Sequence, residues 1–175
     1  FWDQWDFCGA FLFGQDPSLV DIYTWQHGPH RQGLGFILHT GLDKISSWNT
    51  RYISFAIGVL LLITAVLYAI IKKNRFGSTS FFDVLVFVLV LTPLQYEIFS
   101  STPNLSHGAM PAMLIAAFCL CLPIKNIFLR HCLLLIINFN LIFTGFGIFI
   151  GLLTPLVLLS EGYYFYKSKE IKNTW

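Results

Sequence analysis

The chain has 175 residues, of which 55% are hydrophobic and 11% are charged, and its mean hydropathy is +0.66. Since a soluble domain usually carries about 25% charged residues, this composition excludes an ordinary soluble domain. The net charge of +2 says little because the charges are unevenly placed, and no basic patch suited to nucleic acid is evident. We therefore expect an all-α, polytopic membrane protein.

Residues 1–50 predict an extracytoplasmic region with interfacial helices. Trp2 and Trp5 alternate with acidic residues, and Trp is enriched where a membrane meets water. Asp16 as N-cap and Pro17 at the first helical position predict a short helix through Tyr23. A second, amphipathic helix is predicted from Pro29 to about Ser46, lying on the membrane surface. Its apolar face would consist of Leu34, Ile37 or Leu38, Leu42 and Ile45.

Residues 51–166 predict about five spans, since about twenty apolar residues cross a bilayer. The spans are predicted at about Ile53–Ile71, Phe81–Phe99 and Ala109–Leu122, followed by two helices within Cys132–Tyr166 that meet at Thr144–Gly147. Basic residues cluster in the loops at 72–75 and 125–131 and in the tail at 167–175. By the positive-inside rule these segments are cytoplasmic and residues 1–50 lie outside. The first residue is Phe1, no signal peptide is recognisable, and we expect a fragment that has lost an N-terminal span.

Two acidic residues near the start are candidate catalytic groups. Asp3 and Asp6 are three residues apart, so on a helix they would share a face. A carboxylate at a membrane-facing cleft can act as a general base towards a sugar or lipid hydroxyl. The alternative is a solvated pair in an interfacial loop anchored by Trp2 and Trp5.

The stretch from Trp25 to Arg31 holds three candidate binding residues. Arg31 suits a phosphate because its planar fork binds two oxygens and stays charged. His27 and His30 can donate to the same phosphate or ligate a metal. A divalent metal is possible only if further ligands come from Asp3, Asp6 or His107, because a site needs three or four. The alternative is a polar loop at the depth of the lipid headgroups.

Gln95 and Glu97 lie near the outer end of the second predicted span, and His107 lies in the outer loop at 100–108. An ionisable group at such a position is costly unless it faces protein or water, so these residues are candidates for substrate binding. The alternative is that Glu97 is simply hydrated at the interface.

Several short motifs resemble those of bacterial multi-pass glycosyltransferases of the GT-C type. Asp3-Gln4-Trp5 resembles the acidic stretch that follows their first span. His27-Gly28-Pro29-His30-Arg31 resembles their His-Asn-Glu-His-Arg motif, with Gly28-Pro29 in place of Asn-Glu. Gln95-Tyr96-Glu97-Ile98 resembles a later Gln-x-Glu-Asn element, with Ile98 in place of Asn. Gly145-Phe146-Gly147 resembles an outer turn between two later spans.

The resemblance implies sugar transfer on the outer face of a bacterial inner membrane from a polyprenyl-phosphate-linked donor. It implies that Asp3, with Asp6 in reserve, is the general base. His27, His30 and Arg31 would then hold the departing phosphate, and Gln95 and Glu97 would line the donor or acceptor pocket. Two other functions remain open: a transporter or flippase for a lipid-linked sugar, and a non-catalytic membrane subunit.

Overall fold

The computed structural model describes residues 17–28, 30–144 and 151–173. Over these residues the chain is all-α apart from one short antiparallel ribbon. The elements are α1 (Leu19–Thr24), β1 (Gln26–His27), β2 (His30–Arg31), α2 (Gly33–Ser46), α3 (Thr50–Phe76), α4 (Val84–Leu91), α5 (Tyr96–Ser100), α6 (Met110–Cys121), α7 (Ile127–Ile142) and α8 (Leu153–Asn173). Asp3, Asp6 and the predicted turn at Gly145–Gly147 lie outside the described residues.

Helix α1 begins later than the sequence predicts, because Ser18 rather than Asp16 is its N-cap. The Ser18 hydroxyl oxygen accepts a bond from the Asp21 backbone N–H at 3.2 Å, and the Asp21 carboxylate accepts from the Ser18 N–H at 3.0 Å. This reciprocal capping box satisfies two backbone donors at the start of the helix. The hydrogen bonds from Ser18 also lower the pKa of Asp21 below its usual value.

Helix α2 begins at Gly33, so the prediction of a helix from Pro29 is wrong at its start. His30 and Arg31 are held in the ribbon, and the Gln32 N–H donates to the Trp25 carbonyl at 3.1 Å. The predicted apolar face is also only partly correct, because the side chain of Ile45 is 82% exposed. The fully buried face of α2 instead consists of Gly33, Gly35, Phe36, His39 and Asp43.

Two helical segments among the described residues are long and apolar enough to cross a membrane: α3 and the segment Phe81–Ser100. The second is interrupted, because Thr92 is extended at ψ 135° ahead of Pro93. Proline lacks an N–H and disfavours a helical residue before it. The segment is therefore made of α4 and α5, each preceded by a single 3₁₀ turn, at Phe81–Asp83 and Pro93–Gln95.

The helices on either side of Lys125 extend further than the predicted spans. A π-helical turn at Leu105–Ala109 leads directly into α6, so His107 lies on a helix and not in the predicted loop. Arg130 and His131, also predicted to lie in a loop, belong to the first turns of α7 because Asn126 caps that helix. The predicted pair of helices in the last third is observed as α7 and α8, and α8 continues as helix beyond Tyr166.

The distribution of polar and apolar side chains is unlike that of a soluble bundle. The main apolar core lies between α3, the π-helical turn and α6, and includes Ile57, Leu105 and Leu114. Buried polar side chains are Gln32, His39, Asp43, Thr64, Thr102, Ser106, Asn138, Thr144 and Thr154. Many large apolar side chains are exposed, among them Leu62, Leu89, Leu135 and Leu159. A protein surrounded by water rarely exposes so much apolar surface while it buries this many polar side chains.

The helix directions define two ends. At the ribbon end, the ribbon meets His107 at the start of the α6 segment and Phe143 just after α7. At the basic end, the last turns of α3 and α6 line one cavity that includes Arg75 and Cys119, and α7 begins nearby after Lys125. At 1.5 Å per residue, the thirteen residues from Arg130 to Phe143 separate the two ends by about 20 Å.

Two glycines of α2 provide a matched test of this packing. A Cβ added at Gly35 would lie 2.5 Å from both the Cα and the Oγ of Ser106, whereas one added at Gly41 meets nothing within 4 Å. We expect Gly35→Ala to lower the free energy of unfolding by about 1–3 kcal/mol, because the Ser106 backbone must move. Gly41→Ala should raise it by about 0.5–1 kcal/mol through helix propensity. Unfolding of both variants in detergent measures the difference, and equal stabilities would contradict the close approach.

Candidate functional site

The predicted residues His27, His30 and Arg31 lie on the two-stranded ribbon. The strands pair antiparallel with His27 opposite His30 and Gln26 opposite Arg31. Gly28, between the strands, has a left-handed φ of +55°, which glycine adopts without steric cost. The Gln26 amide donates to the Gly28 carbonyl at 2.8 Å. His27 and His30 form a cross-strand pair whose side chains share one face of the ribbon, and Arg31, the next residue, lies on the other face.

His107, predicted from a segment more than seventy residues away, meets the ribbon. Its ring centroid is 5.6 Å from that of His30, in an edge-on arrangement. The Nε2 atom of Gln32 lies 2.8 Å from Nε2 of His107. Since the Gln32 amide nitrogen can only donate, His107 Nε2 accepts, and its proton is assigned to Nδ1 when the ring is neutral. We call His27, His30, Arg31 and His107 the ribbon site.

Two polar residues next to the ribbon site are buried. Gln32 and Ser106 are fully buried at 0% exposure. Among the described residues, neither Gln32 Oε1 nor Ser106 Oγ has a hydrogen-bond partner. An unsatisfied buried polar atom costs about 1–3 kcal/mol, so the fold tolerates an energetic cost at Gln32, which contacts His107, and at Ser106, which precedes His107 in the chain. Such local costs are most common at functional sites.

Arg31 is anchored on one side and exposed on the other. Its Cζ atom lies 5.2 Å from the centroid of the Phe143 ring, and its Nη1 donates to the Thr24 carbonyl at 3.4 Å. Tyr23 packs on the same ring at 4.9 Å and donates its hydroxyl to Asn140 at 3.1 Å. Burial raises the pKa of Tyr23 above its usual value, so this hydroxyl remains a donor. These contacts fix the guanidinium beside the ribbon while leaving it accessible to a ligand.

An aromatic stack holds the other side of the ribbon. The Trp25 ring lies 4.5 Å from the Phe36 ring and 6.0 Å from the His27 ring, measured between centroids. Phe36 is fully buried and packs with Ile22 of α1. The stack therefore connects His27 to the small core between α1 and α2.

Gln95 and Glu97 lie on a different part of the ribbon end. The Gln95 amide donates to the Leu89 carbonyl at 2.7 Å, across the break at Pro93. The Glu97 carboxylate accepts from the Tyr96 hydroxyl at 3.3 Å, and its side chain is exposed. Within the described ranges no contact joins either side chain to the ribbon site. The backbone of Glu97 is joined to the segment before α6, because the Asn104 side-chain amide donates to the Glu97 carbonyl at 2.9 Å.

The predicted base residues, Asp3 and Asp6, lie outside the described residues. In residues 17–28, 30–144 and 151–173, no group of three or more His, Cys, Asp or Glu side chains is placed to hold a metal ion. His27, His30 and His107 therefore do not form a three-histidine metal centre. The groups that could meet an anion at this end are the His30–His107 pair and, next along the strand, the Arg31 guanidinium.

Sequence reasoning missed the buried polar stripe of α2. Gln32, Phe36, His39 and Asp43 follow i, i+4, i+7, i+11 spacing and are all buried, and His39 Nδ1 lies 2.8 Å from Asp43 Oδ2. The helical spacing was visible in the sequence. The stripe was not predicted because the polar residues of this segment were assigned to the exposed face of the helix.

The hydrogen bond from Gln32 gives a spectroscopic prediction. In the native protein, neutral His107 should carry its proton on Nδ1. Gln32→Met removes the donor with little change in volume, so we expect a mixture of the two tautomers. Side-chain ¹⁵N chemical shifts of histidine-labelled protein in micelles, assigned with a His107→Gln sample, measure both states. A proton on Nε2 in the native protein would show instead that Gln32 directs its oxygen at His107.

Comparison with protein-family models, with curated proteins and with solved structures finds no match to this chain.

Proposed function

We propose that the chain is a multi-pass membrane protein whose ribbon site binds the phosphate of a polyprenyl-phosphate-linked sugar. The observation that carries the proposal is the meeting of His107 with His30, the residue that precedes Arg31, at one end of the bundle. His30 and Arg31 belong to the stretch selected from the sequence for phosphate chemistry, and His107 was selected as a candidate for substrate binding in a distant segment. A lipid-linked phosphate fits because the helices carry many large exposed apolar side chains.

Membrane insertion is supported by the outer surface of the helices. None of the most apolar 18-residue stretch of the Phe81–Ser100 segment is buried within the protein, and only 33% of the corresponding stretch of α3 is buried. Such surfaces are stable against lipid chains and costly in water. With the basic end in the cytoplasm, the ribbon site lies on the outer face, which in a bacterium is the outer side of the inner membrane.

The proposed reaction is that of a GT-C-type glycosyltransferase. An acceptor oxygen attacks the anomeric carbon of the sugar and its proton passes to Asp3 or Asp6. The bond from that carbon to the phosphate oxygen breaks, and the electron pair leaves with the phosphate. Negative charge grows on the phosphate as the bond breaks. Arg31 and the histidines are the groups that would stabilise it.

Arg31 provides the direct test of phosphate binding. In the full chain purified in detergent, Arg31→Gln should weaken binding of a polyprenyl phosphate about tenfold or more, because a charged hydrogen bond contributes about 1.5–3 kcal/mol. Arg51→Gln is the matched control, since Arg51 is an exposed arginine near the start of α3. Microscale thermophoresis measures both affinities, and equal weakening by both variants would refute a specific site.

A transporter of the same lipid would use Arg31 and the histidines but would not need a base. A variant with Asp3→Asn and Asp6→Asn that binds the lipid normally and has lost sugar transfer supports the transferase. Full transport of the lipid-linked sugar by this variant, without any transfer by the native protein, supports the transporter. No binding to any form of the protein supports the non-catalytic subunit.

The proposed orientation predicts the reactivity of two introduced cysteines. Lys44 is exposed on the last turn of α2, and Thr79 is exposed between α3 and α4. In a background without native cysteines, a membrane-impermeant maleimide added to intact cells should label Lys44→Cys and spare Thr79→Cys. Permeabilised cells provide the control, since both should then react. The reverse pattern would place the ribbon site in the cytoplasm.

A further inference from the structure

A second polar cluster lines a cavity at the basic end, away from the ribbon site. The cavity has a volume of about 570 Å³ and opens between the start of α7 and the middle of α8. Its polar lining comes from Arg130 and His131 on α7 and from Ser160, Glu161 and Tyr164 on α8. None of these residues contributes to the proposed function, so the cavity needs its own explanation.

Arg130, a cation that lines this cavity, has fewer hydrogen-bond acceptors around it than it has N–H donors. Arg130 Nη2 donates to Glu161 Oε2 at 2.7 Å, and Arg130 Nη1 donates to the Ile124 carbonyl at 3.0 Å. His131 Nε2 lies 2.8 Å from the same Glu161 Oε2. Among the described residues, the buried Nε of Arg130 has no acceptor. Two of the five N–H donors of the guanidinium therefore have an acceptor in the protein.

The surroundings of the cavity favour an anion attached to an apolar body. Lys125 and Lys167 are exposed at the same end of these helices. Exposed apolar side chains continue along both helices away from the cavity, including Leu135 on α7 and Leu156 and Leu159 on α8. Tyr164 and Phe165 are also exposed beside it, as is common at the depth of lipid headgroups.

We propose that the cavity between α7 and α8 binds the phosphate group of an anionic phospholipid, with the Arg130 guanidinium as its donor. The second N–H groups of Arg130 Nη1 and Nη2 donate to phosphate oxygens, and the acyl chains lie along the exposed faces of α7 and α8. Glu161 holds the guanidinium and the His131 ring in place and balances one positive charge. Basic pockets between helices on the cytoplasmic side are suited to acidic headgroups. The proposal uses the membrane location given above and is independent of sugar transfer.

The test uses the full chain in detergent, titrated with phosphatidylglycerol or phosphatidylcholine and observed by native mass spectrometry. We expect preferential binding of phosphatidylglycerol that falls about tenfold in Arg130→Gln, since a charged hydrogen bond is lost. Lys125→Gln is the control, because Lys125 is an exposed cation at the same end that does not line the cavity. It should bind almost as the native protein does.

A second variant keeps the proposal testable if Arg130→Gln does not fold. Glu161→Gln removes the balancing charge, so it should bind phosphatidylglycerol more tightly than the native protein. Equal binding of the two lipids, or equal loss in Arg130→Gln and Lys125→Gln, would overturn a specific site. Occupation by millimolar inorganic phosphate without any retained lipid would overturn the lipid as the source of the phosphate. Equal affinity of Arg31→Gln and Arg51→Gln for the polyprenyl phosphate, with the preference for phosphatidylglycerol intact, would instead refute the proposed function alone.

Discussion

The close approach of α2 to its neighbours determines where the ribbon can lie. Gly35 packs so closely on Ser106 that no side chain fits between them, and Gly33, at φ +50°, packs in the same way on the backbone of Phe143. These contacts fix the start of α2 between the turn before α6 and the end of α7. Since the ribbon immediately precedes α2, the same packing brings His30 next to His107 and Arg31 next to Phe143.

The sequence predicted the helical class and most of the helices because composition and apolar run length are local properties. It also placed His27, His30, Arg31 and His107 among the binding candidates from their side-chain chemistry. It did not predict that His107 is helical, because Pro103 and Gly108 suggested a loop. In the structure, Pro103 lies in the turn just before the helix, and its carbonyl accepts from the N–H groups of Ser106 and His107.

Other features could not be predicted because they depend on contacts between distant segments. The role of Gln32 requires His107, which lies 75 residues away. The close contact between Gly35 and Ser106 likewise joins two distant parts of the chain. Gln95 was selected as a binding residue from its position near a span end. Its observed bond to the Leu89 carbonyl instead compensates for the donor that is missing at Pro93.

The π-helical turn before α6 has a geometric consequence for the ribbon site. Its i+5 bond, from the Met110 N–H to the Leu105 carbonyl, adds one residue to the turn relative to an α-helix. One residue corresponds to about 100° of rotation around a helix axis. The residues before and after this turn therefore follow two different angular phases. Because of that offset, one continuous segment can direct Leu114 into the apolar core and His107 towards the ribbon, which a uniform α-helix of the same sequence would not do.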